Sequence, residues 1–260
     1  MARQPDEPGL RPIWGDLHLH TVVSPCAEVE MIPPLIVRQA LALGLGLIAV
    51  TDHNTAENAG AVVAAARGTC LAVLPGMEVQ TREEAHILCL FDTVDQALCW
   101  QEVVYAHLPD LENREEFFGA QFVVDETGEY LRTNRRLLLT STTLAVEEVV
   151  GRVAGLGGLT IAAHVDRRAY SLVTSLGFIP PGLGLAAVEV TRPDIIMDER
   201  LIGRRPLIVS GDAHRLNEMR ASTLFRVREP TIAELALAFR GEAGRRVRVV
   251  PRDTATAQHE

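Results

Sequence analysis

The sequence has few cysteines and no long hydrophobic run, and each shortage excludes a class of protein. Four cysteines scattered over 260 residues are too few to staple a domain of this size with disulfides. No apolar stretch approaches the roughly 18 residues that a transmembrane helix needs. The first residues, MARQPDEPGLRPIW, lack the apolar centre of a secretion signal. We therefore expect a cytoplasmic protein with no membrane partner.

The sequence also lacks a surplus of basic residues, with 25 Lys and Arg against 34 Asp and Glu and a net charge of -9. Its hydrophobic content of 47% is typical of a globular domain with a sizeable core and excludes wholesale disorder. Binding to long nucleic acid usually needs a basic surplus, so the acidic balance argues against such a partner. It does not exclude a small phosphorylated substrate, because bound metal ions supply positive charge locally.

Short apolar runs alternate with helical patterns along most of the chain. This alternation predicts an α/β fold with a largely parallel sheet. We predict strands at residues 13–19, 47–50, 70–79, 86–91, 159–164, 185–190, 206–210 and 224–227, and helices at residues 33–43, 56–67, 94–107, 144–156 and 231–240.

One charged segment, residues 109–140, interrupts the alternation. It contains Glu126, Thr127 and Gly128, which predict a turn between two short strands. Because the segment is too short for its own core, we interpret it as a hairpin-bearing insertion within a single domain that spans residues 1–250. Residues 251–260 are predicted to form a disordered tail.

Six of the eight histidines lie at the ends of predicted strands. The C-terminal edge of a parallel α/β sheet or barrel is where ligands and catalytic groups normally lie. One of the six, His86, starts its strand instead, which predicts an antiparallel or offset strand there, and His107 lies inside a predicted helix. The strand-end residues, including acidic ones that end similar apolar runs, are His18, His20, His53, His86, His164, His214, Asp16, Asp52, Glu78 and Asp212.

The residue types in this set are metal ligands. His18 and His20 are two positions apart on a strand, so both point to one face and can reach one ion. Imidazole nitrogens and carboxylate oxygens bind zinc, manganese and iron, and a carboxylate can bridge two ions. Closely spaced ions bind phosphate, generate hydroxide near neutral pH and stabilise a leaving oxygen. The pattern therefore indicates a site for more than one metal ion, which could bind a phosphate.

The motifs DLHLHT, VTDHN, PGMEV, AHVDR and GDAH, in this order, resemble the PHP (polymerase and histidinol phosphatase) family of metal-dependent phosphoesterases. The resemblance covers residues 13–224 apart from the insertion. It implies a distorted (β/α)7 TIM-like barrel with up to three metal ions at the C-terminal rim of the strands. The ligands that it implies are His18, His20, Glu78 and Asp212 for the first ion, Glu78 as a bridge with His86 and His164 for the second, and His53 with His214 for the third.

The sequence departs from the family pattern at Cys26, which stands where a histidine or aspartate commonly completes the third metal position. A thiolate there would favour zinc or iron over manganese and would make the site sensitive to oxidation. In the alternative interpretation Cys26 is a packing residue and the site holds two ions. The expected cofactors are therefore two or three divalent ions, Zn, Mn or Fe.

The predicted reaction is hydrolysis of a small phosphomonoester, such as a nucleotide or an amino-alcohol phosphate, by a metal-bridged hydroxide that attacks phosphorus. Arg167 and Arg215 follow two of the motifs and are candidates for contacts with the phosphate, although each could equally be a solvated charge. Asp212 and His214 are candidate catalytic residues, and His20 is an alternative to His214 as proton donor to the leaving group.

Asp16 and Asp52 are predicted to orient the ligands by accepting the free N–H of an imidazole. Two other functions stay open: a nuclease or phosphodiesterase with the same metal chemistry, and a metal-dependent regulatory module without turnover. The complete ligand set argues against the second of these. The basic segment at residues 245–252, RRVRVVPR, has the alternation of an edge strand with a solvated face.

Overall fold

A nine-stranded sheet that curves into a nearly closed barrel dominates the computed structural model, which describes residues 9–250. The strand order is β11-β10-β1-β2-β3-β4-β7-β8-β9, and β5 and β6 form a separate two-stranded sheet. The predicted α/β class with a distorted barrel is confirmed. The strands are β1 Arg11–Leu19, β2 Leu47–Val50, β3 Ala72–Gln80, β4 His86–Leu90, β5 Phe122–Val124, β6 Tyr130–Thr133, β7 Leu159–Ala162, β8 Ala187–Val190, β9 Leu207–Val209, β10 Thr223–Val227 and β11 Arg246–Val249.

Helices connect most of the strands of the barrel. The longer ones agree with the predicted positions to within a few residues at each end, whereas the short α4, α6 and α7 have no periodic signal and were not predicted. None of the helices in the described part of the chain is long and apolar enough to span a bilayer. The helices are α1 Pro33–Ala42, α2 Ala59–Ala65, α3 Val94–Tyr105, α4 Glu115–Phe118, α5 Val146–Gly155, α6 Leu172–Leu176, α7 Glu199–Ile202 and α8 Ile232–Arg240.

The directions of the strands depart from a strictly parallel barrel at two places. The strands β1, β2 and β3 are parallel to one another, and so are β7, β8 and β9. Between these groups, β4 is antiparallel to both β3 and β7, which confirms the expectation drawn from His86. Next to β1, β10 and β11 add two further antiparallel strands. The seven-fold β/α repeat is therefore only partly kept.

Both faces of the barrel strands are buried. On β2, Leu47 and Ala49 belong to a cluster that gathers the inward faces of the strands, whereas Ile48 and Val50 pack in the layer between the strands and the helices. Leu235 and other residues of α8 join the inward cluster, so this helix fills one end of the barrel. The near-continuous apolar character of β2 is the pattern expected of a strand buried on both sides.

At the opposite end, the rim, the chain after β9 pairs with the end of β1. The backbone N–H of His20 donates to the oxygen of Ala213 at 3.0 Å, and the N–H of Ala213 donates to the oxygen of His18 at 3.1 Å. This bridge links β1 to the segment after β9, the last strand in the sheet order. It places Asp212 and His214 beside the histidines of β1.

In the segment of residues 109–140, α4 and the β5–β6 hairpin lie against the rim. Asp125 shapes the turn of the hairpin by accepting the N–H of Thr127 at 2.9 Å. The side-chain amide of Asn54, in the loop after β2, donates to the backbone oxygens of Leu138 and Thr140 at 2.8 and 2.9 Å. The end of this segment is therefore tied to the same loop that carries His53. The tail predicted at residues 251–260 lies outside the described residues.

A substitution at Gly76 tests the close approach of β3 and β4, the strands that carry Glu78 and His86. A Cβ at Gly76 would overlap the backbone oxygen of Cys89 on the neighbouring strand. We expect Gly76→Ala to lower the free energy of unfolding by about 1–3 kcal/mol, because the two backbones would have to separate. Chemical denaturation measures this change. As the control, Gly151→Ala in α5 meets no atom within 4 Å and should raise stability by about 0.5–1 kcal/mol. Equal stability of Gly76→Ala and the wild type would contradict the packing argument.

Candidate metal centre

Eight side chains that the sequence places at strand ends meet in one cluster at the rim of the barrel. Two come from the end of β1, one from β3 and one from the start of β4, and the other four follow β2, β7 and β9. All eight are hydrogen-bond, ion-pair or ring neighbours of other members, and His214, at the outer side, stacks on the ring of His20. The cluster consists of His18, His20, His53, Glu78, His86, His164, Asp212 and His214.

The carboxylate of Glu78 lies at the centre of this cluster and is buried. Its Oε1 lies 2.7 Å from His86 Nδ1, 3.2 Å from His18 Nε2 and 3.2 Å from His164 Nε2. Its Oε2 lies 2.9 Å from His53 Nδ1. Burial by itself raises the pKa of this carboxyl group, but the surrounding imidazoles of His86, His18 and His53 hold the pKa well below its ordinary range. Glu78 is therefore ionised and joins histidines from four other segments.

A second carboxylate, Asp212, faces the histidines of β1 from the other side. Its Oδ1 lies 3.2 Å from His18 Nε2 and 3.2 Å from His20 Nε2, so both rings of the HxH pair reach the same atom. This geometry agrees with the expectation that residues two apart on a strand address one point. Burial raises the pKa of Asp212, but His18 and His20 lower it to a net value below the ordinary range.

Three groups in the cluster offer ligand atoms that all lie within 4.8 Å of one another. The first is the set that the resemblance implies for the first ion. In the second, His53 stands where His164 was expected, although His164 Nε2 also lies 3.2 Å from Glu78 Oε1. In the third, His20 accompanies the two expected histidines. The groups are His18, His20, Glu78 and Asp212; His53, Glu78 and His86; and His20, His53 and His214.

The donor set fits divalent metal ions on the evidence of its unpaired atoms. Within residues 9–250, four buried atoms make no hydrogen bond, although several lie near other polar atoms of the cluster: His18 Nε2, Glu78 Oε2, His86 Nε2 and His164 Nδ1. Leaving a buried polar atom unsatisfied costs about 1–3 kcal/mol, so four such atoms in one cluster call for a shared partner. A cation that accepts lone pairs from nitrogen and oxygen is such a partner.

Two of the cluster residues and one neighbour have left-handed backbone conformations. The φ angles are +28° at His164, +44° at Asp212 and +49° at Asn54. Non-glycine residues in this region cost of order 1 kcal/mol or more each, and such strain concentrates at functional sites. Each of the three residues follows the end of a strand, so the strained turn aims a side chain across the rim instead of along the strand.

Cys26 lies beside the third group without belonging to it. His214 and His53 are close enough to its thiol to lower the pKa of that group, and the residue is exposed. Burial of the sulfur raises the pKa of this thiol, but the combined effect of the two histidines is larger. The net pKa is lowered to about 6. Cys26 is in none of the three groups of converging ligand atoms, so its role as a ligand stays a prediction.

Asp16 and Asp52 do not accept an imidazole N–H, which corrects the predicted roles. Asp16 accepts the backbone N–H groups of Gly211 and Arg220 at 2.9 and 2.7 Å, so it braces the loop after β9. Burial raises the pKa of Asp16 to about 7. Asp52 accepts the hydroxyl of Ser24 at 2.7 Å. The Ser24 oxygen in turn lies 3.0 Å from Nδ1 of His20, so Asp52 acts on that ring only through a serine.

Glu189, near the end of β8, is a site residue that the sequence analysis missed. Its buried carboxylate lies 3.0 Å from His18 Nδ1 and accepts the backbone N–H of His164 at 3.1 Å. The first contact holds the proton of His18 on Nδ1 and leaves Nε2 free as a ligand atom. A signal existed, because VEV in β8 repeats the pattern of MEV, which carries Glu78 in β3.

The two candidate arginines have different surroundings. Arg167 Nη1 donates to Oδ2 of Asp212 at 2.6 Å, so its guanidinium lies at the cluster. Arg215 is paired with Glu28 at 3.0 Å and is solvent-exposed. A further residue, Tyr170, stacks its ring on His86 with the centroids 4.7 Å apart and is half exposed. Only its place in the irregular stretch after β7 pointed to it in the sequence.

Comparison with known proteins finds likeness in structure only. No family model and no curated protein matches the sequence. Endonuclease Q from Pyrococcus furiosus, a lesion-specific endonuclease, is similar with a TM-score of 0.68 and 19% identity over 91% of this chain and 58% of its own. Endonuclease Q in complex with a 27-mer duplex that has an abasic lesion at the active site gives a TM-score of 0.67 and 20% identity, with the same coverage.

A protein from Bifidobacterium adolescentis that is assigned as a metal-dependent phosphoesterase gives a TM-score of 0.51 and 18% identity over 77% of this chain and 87% of its own. At these identities the likeness shows the fold, and the chain has the PHP-type fold that its motifs resemble. It spans 58% of the length of the Endonuclease Q chains that it matches.

The expectation that long nucleic acid is an unlikely partner is contradicted by this comparison. Endonuclease Q shares the fold over 91% of this chain and was solved with a 27-mer duplex at its active site. The expectation rested on a net charge of -9, which averages over the whole surface. A net charge does not describe the electrostatic potential at one rim or along one groove.

Glu189 provides a test of how the cluster holds its ligands. We expect Glu189→Gln to weaken zinc binding by about 10–100-fold, because the neutral amide no longer fixes the proton of His18 on Nδ1. Competition with a chromophoric chelator measures the affinity, and ¹⁵N chemical shifts of the ring report the tautomer of His18. Glu199→Gln is the control, since this exposed acid in α7 makes only a 4.0 Å contact with Arg204. Unchanged zinc affinity together with an unchanged tautomer would contradict the role of Glu189.

Proposed function

We propose that this chain is a metal-dependent phosphoesterase whose substrate is a phosphodiester in nucleic acid. The observation that carries the proposal is the buried Glu78 carboxylate with imidazoles from four segments around it and unpaired ligand atoms beside it. Divalent ions bound there would polarise a phosphoryl oxygen and activate water near neutral pH. The likeness to Endonuclease Q over 91% of the chain supports the substrate class.

The three groups of ligand atoms divide the cluster into adjoining ion positions. The first ion would be held by the HxH pair with Glu78 and Asp212, and the second by Glu78 with histidines of β4, β7 and the loop after β2. Glu78 belongs to both groups, because its Oε1 faces His18 of the first and His86 of the second, so its carboxylate would bridge the two positions. The third ion would lie between His53 and His214 beside Cys26.

The substrate would approach from the side of Asp212 and His214. Their side chains are 9% and 23% exposed, whereas those of His18, His20 and Glu78 are fully buried. Arg167 lies on this side, and its guanidinium has further N–H groups beyond the one that it donates to Asp212. We assign to it the contact with a phosphate oxygen, whereas the exposed ion pairs of Arg215 make it a rim charge.

The same exposure separates the two candidate proton donors. His20 is completely buried and has no path to a leaving group. His214 is partly exposed, and its Nδ1 lies 2.9 Å from the backbone oxygen of Asp212, so the carbonyl holds a proton on Nδ1 and Nε2 faces the cluster or the substrate. His214 is therefore the imidazole that we assign to the leaving oxygen: its imidazolium form would donate the proton from Nε2, and in this role Nε2 would not ligate the third ion.

The absence of lysine favours hydrolysis over elimination. Enzymes that open an abasic site by elimination form a Schiff base with an amine, most often a lysine side chain. None of the 25 basic residues of this chain is a lysine, because all are arginine. The chemistry available to the cluster is therefore attack on phosphorus.

A substrate panel tests the proposal. We expect the zinc-, manganese- or iron-loaded protein to hydrolyse a bis-aryl phosphodiester and a duplex with an abasic site. His18→Ala/His20→Ala should lose both bound metal and turnover, because two ligands of the first ion are removed. His107→Ala is the control, since this residue follows α3 and its ring lies 2.8 Å from the backbone oxygen of Val103, outside the cluster. Full activity in the double variant would contradict the proposal, and turnover of aryl monoesters alone would support the predicted small phosphomonoester instead.

Cys26 tests the third ion position separately. We expect Cys26→Ser to lower the bound metal by about one ion per chain, because a hydroxyl is a poor substitute for a thiolate ligand. Metal content of the purified protein, measured by plasma mass spectrometry, gives the stoichiometry. Cys70→Ser is the matched control, because Cys70 is also free and exposed but lies outside the cluster. An unchanged stoichiometry would leave Cys26 as a packing residue.

A further inference from the structure

The outer face of β1, β10 and β11 carries arginines that the site at the rim does not use. In the sheet register Arg226 lies directly opposite Arg246, and Arg248 lies opposite Leu224 on the same face. The alternate residues of these strands, such as Phe225, face the barrel interior. The arginine side chains therefore form rows on the outside of a three-stranded wall.

A groove of about 330 Å³ runs along this face, and we call it the arginine groove. Leucine and proline side chains form its apolar part, and guanidinium groups form the rest. Such a combination suits a ligand in which negatively charged groups alternate with less polar ones. The lining residues are Leu10, Pro12, Leu224, Arg226, Arg246 and Arg248.

Two arginines of the groove have no electrostatic partner within the described chain. The side chains of Arg246 and Arg248 are exposed and form no hydrogen bond or ion pair with any residue of 9–250. Their neighbour Arg245 shows the opposite behaviour, since it is buried and donates to Glu234 at 3.0 Å. A structural role therefore accounts for Arg245 but not for the two arginines that follow it.

The position of the groove relates it to the rim. Trp14, on β1 opposite Leu224, precedes His18 by four residues, and Pro12 precedes it by six. At the strand rise of about 3.3 Å per residue, the groove lies about 13–20 Å from the metal cluster along β1. A duplex advances about 3.4 Å per base pair, so this distance corresponds to roughly four to six base pairs.

We propose that the arginine groove binds the phosphate backbone of a nucleic-acid substrate on one flank of the reacting phosphodiester. This inference rests on the proposed function, and it adds a second contact region on the side wall of the barrel. Arg246 and Arg248 lie about 7 Å apart along one strand face, so each can take a separate phosphate. The planar guanidinium suits phosphate oxygens through paired N–H donors.

The test is the salt dependence of binding to a duplex. The metal-loaded protein is titrated into a fluorescent abasic duplex whose lesion-flanking linkages are phosphorothioates, which slow cleavage, and anisotropy gives Kd. We expect Arg246→Ala/Arg248→Ala to raise Kd about tenfold at low salt and to reduce the slope of log K against log salt by about 2, one for each lost phosphate contact. Arg246→Lys/Arg248→Lys, which keeps both charges, should retain most of the slope.

The control removes the same charge elsewhere. Arg38→Ala/Arg67→Ala, two exposed positions in the helical layer, should leave Kd and the slope unchanged. All variants should turn over a bis-aryl phosphodiester at the wild-type rate, because none touches the cluster. An unchanged slope in the alanine pair of β11 would overturn the groove proposal alone. If the wild type cleaves the aryl ester but does not bind the duplex, both the groove proposal and the nucleic-acid substrate are overturned. If the wild type neither cleaves the aryl ester nor binds the duplex, the proposed function itself is overturned.

Discussion

The arrangement of the rim depends on one interaction, the contact of the buried Glu78 carboxylate with the imidazoles around it. An isolated buried carboxylate is costly, and Glu78 stays ionised because His86, His18 and His53 lower its pKa. These rings come from separate segments, so the ends of β1, β2, β3 and β4 have to converge for the charge to be compensated. The bridge between Leu19 and Ala213 adds the end of β9 and so brings in Asp212. The contacts that close the barrel at the rim therefore also bring the residues of the cluster together.

Around Glu78, two other buried carboxylates hold the metal-ligating residues, or the loops that carry them, in position. Glu189 contacts His18 through the ring and His164 through the backbone, so a single side chain of β8 locates ligands of β1 and β7. Asp16 instead binds N–H groups of the loop that carries Asp212. The acidic balance of the chain thus includes groups that are buried for structural reasons. The net charge is therefore a poor guide to the surface potential that a substrate meets, since several acids do not contribute to that potential.

The parts of this architecture that sequence could predict are those with a local signal. Alternating apolar runs locate β2 because it is buried on both faces, and the strand-end histidines mark the rim because each stands next to such a run. The direction of β4 was readable from His86 alone. Glu189 escaped because its role depends on β8 lying beside β7, a neighbour relation that no local pattern contains. Asp16 was assigned the wrong contact for a similar reason, since its backbone partners Gly211 and Arg220 lie some two hundred positions away in the chain.

The rim and the arginine groove differ in how their charge arises. At the rim the protein itself contributes the carboxylates of Glu78 and Asp212, which repel a phosphate, and only bound divalent ions reverse that sign. In the groove, Arg246 and Arg248 are cationic at every accessible pH and need no ion. Binding of a duplex along the wall would therefore persist when metal is scarce, whereas engagement of one phosphate at the cluster would require metal. Under the proposed function, this division would separate substrate capture from the chemical step, and metal availability would control the second alone.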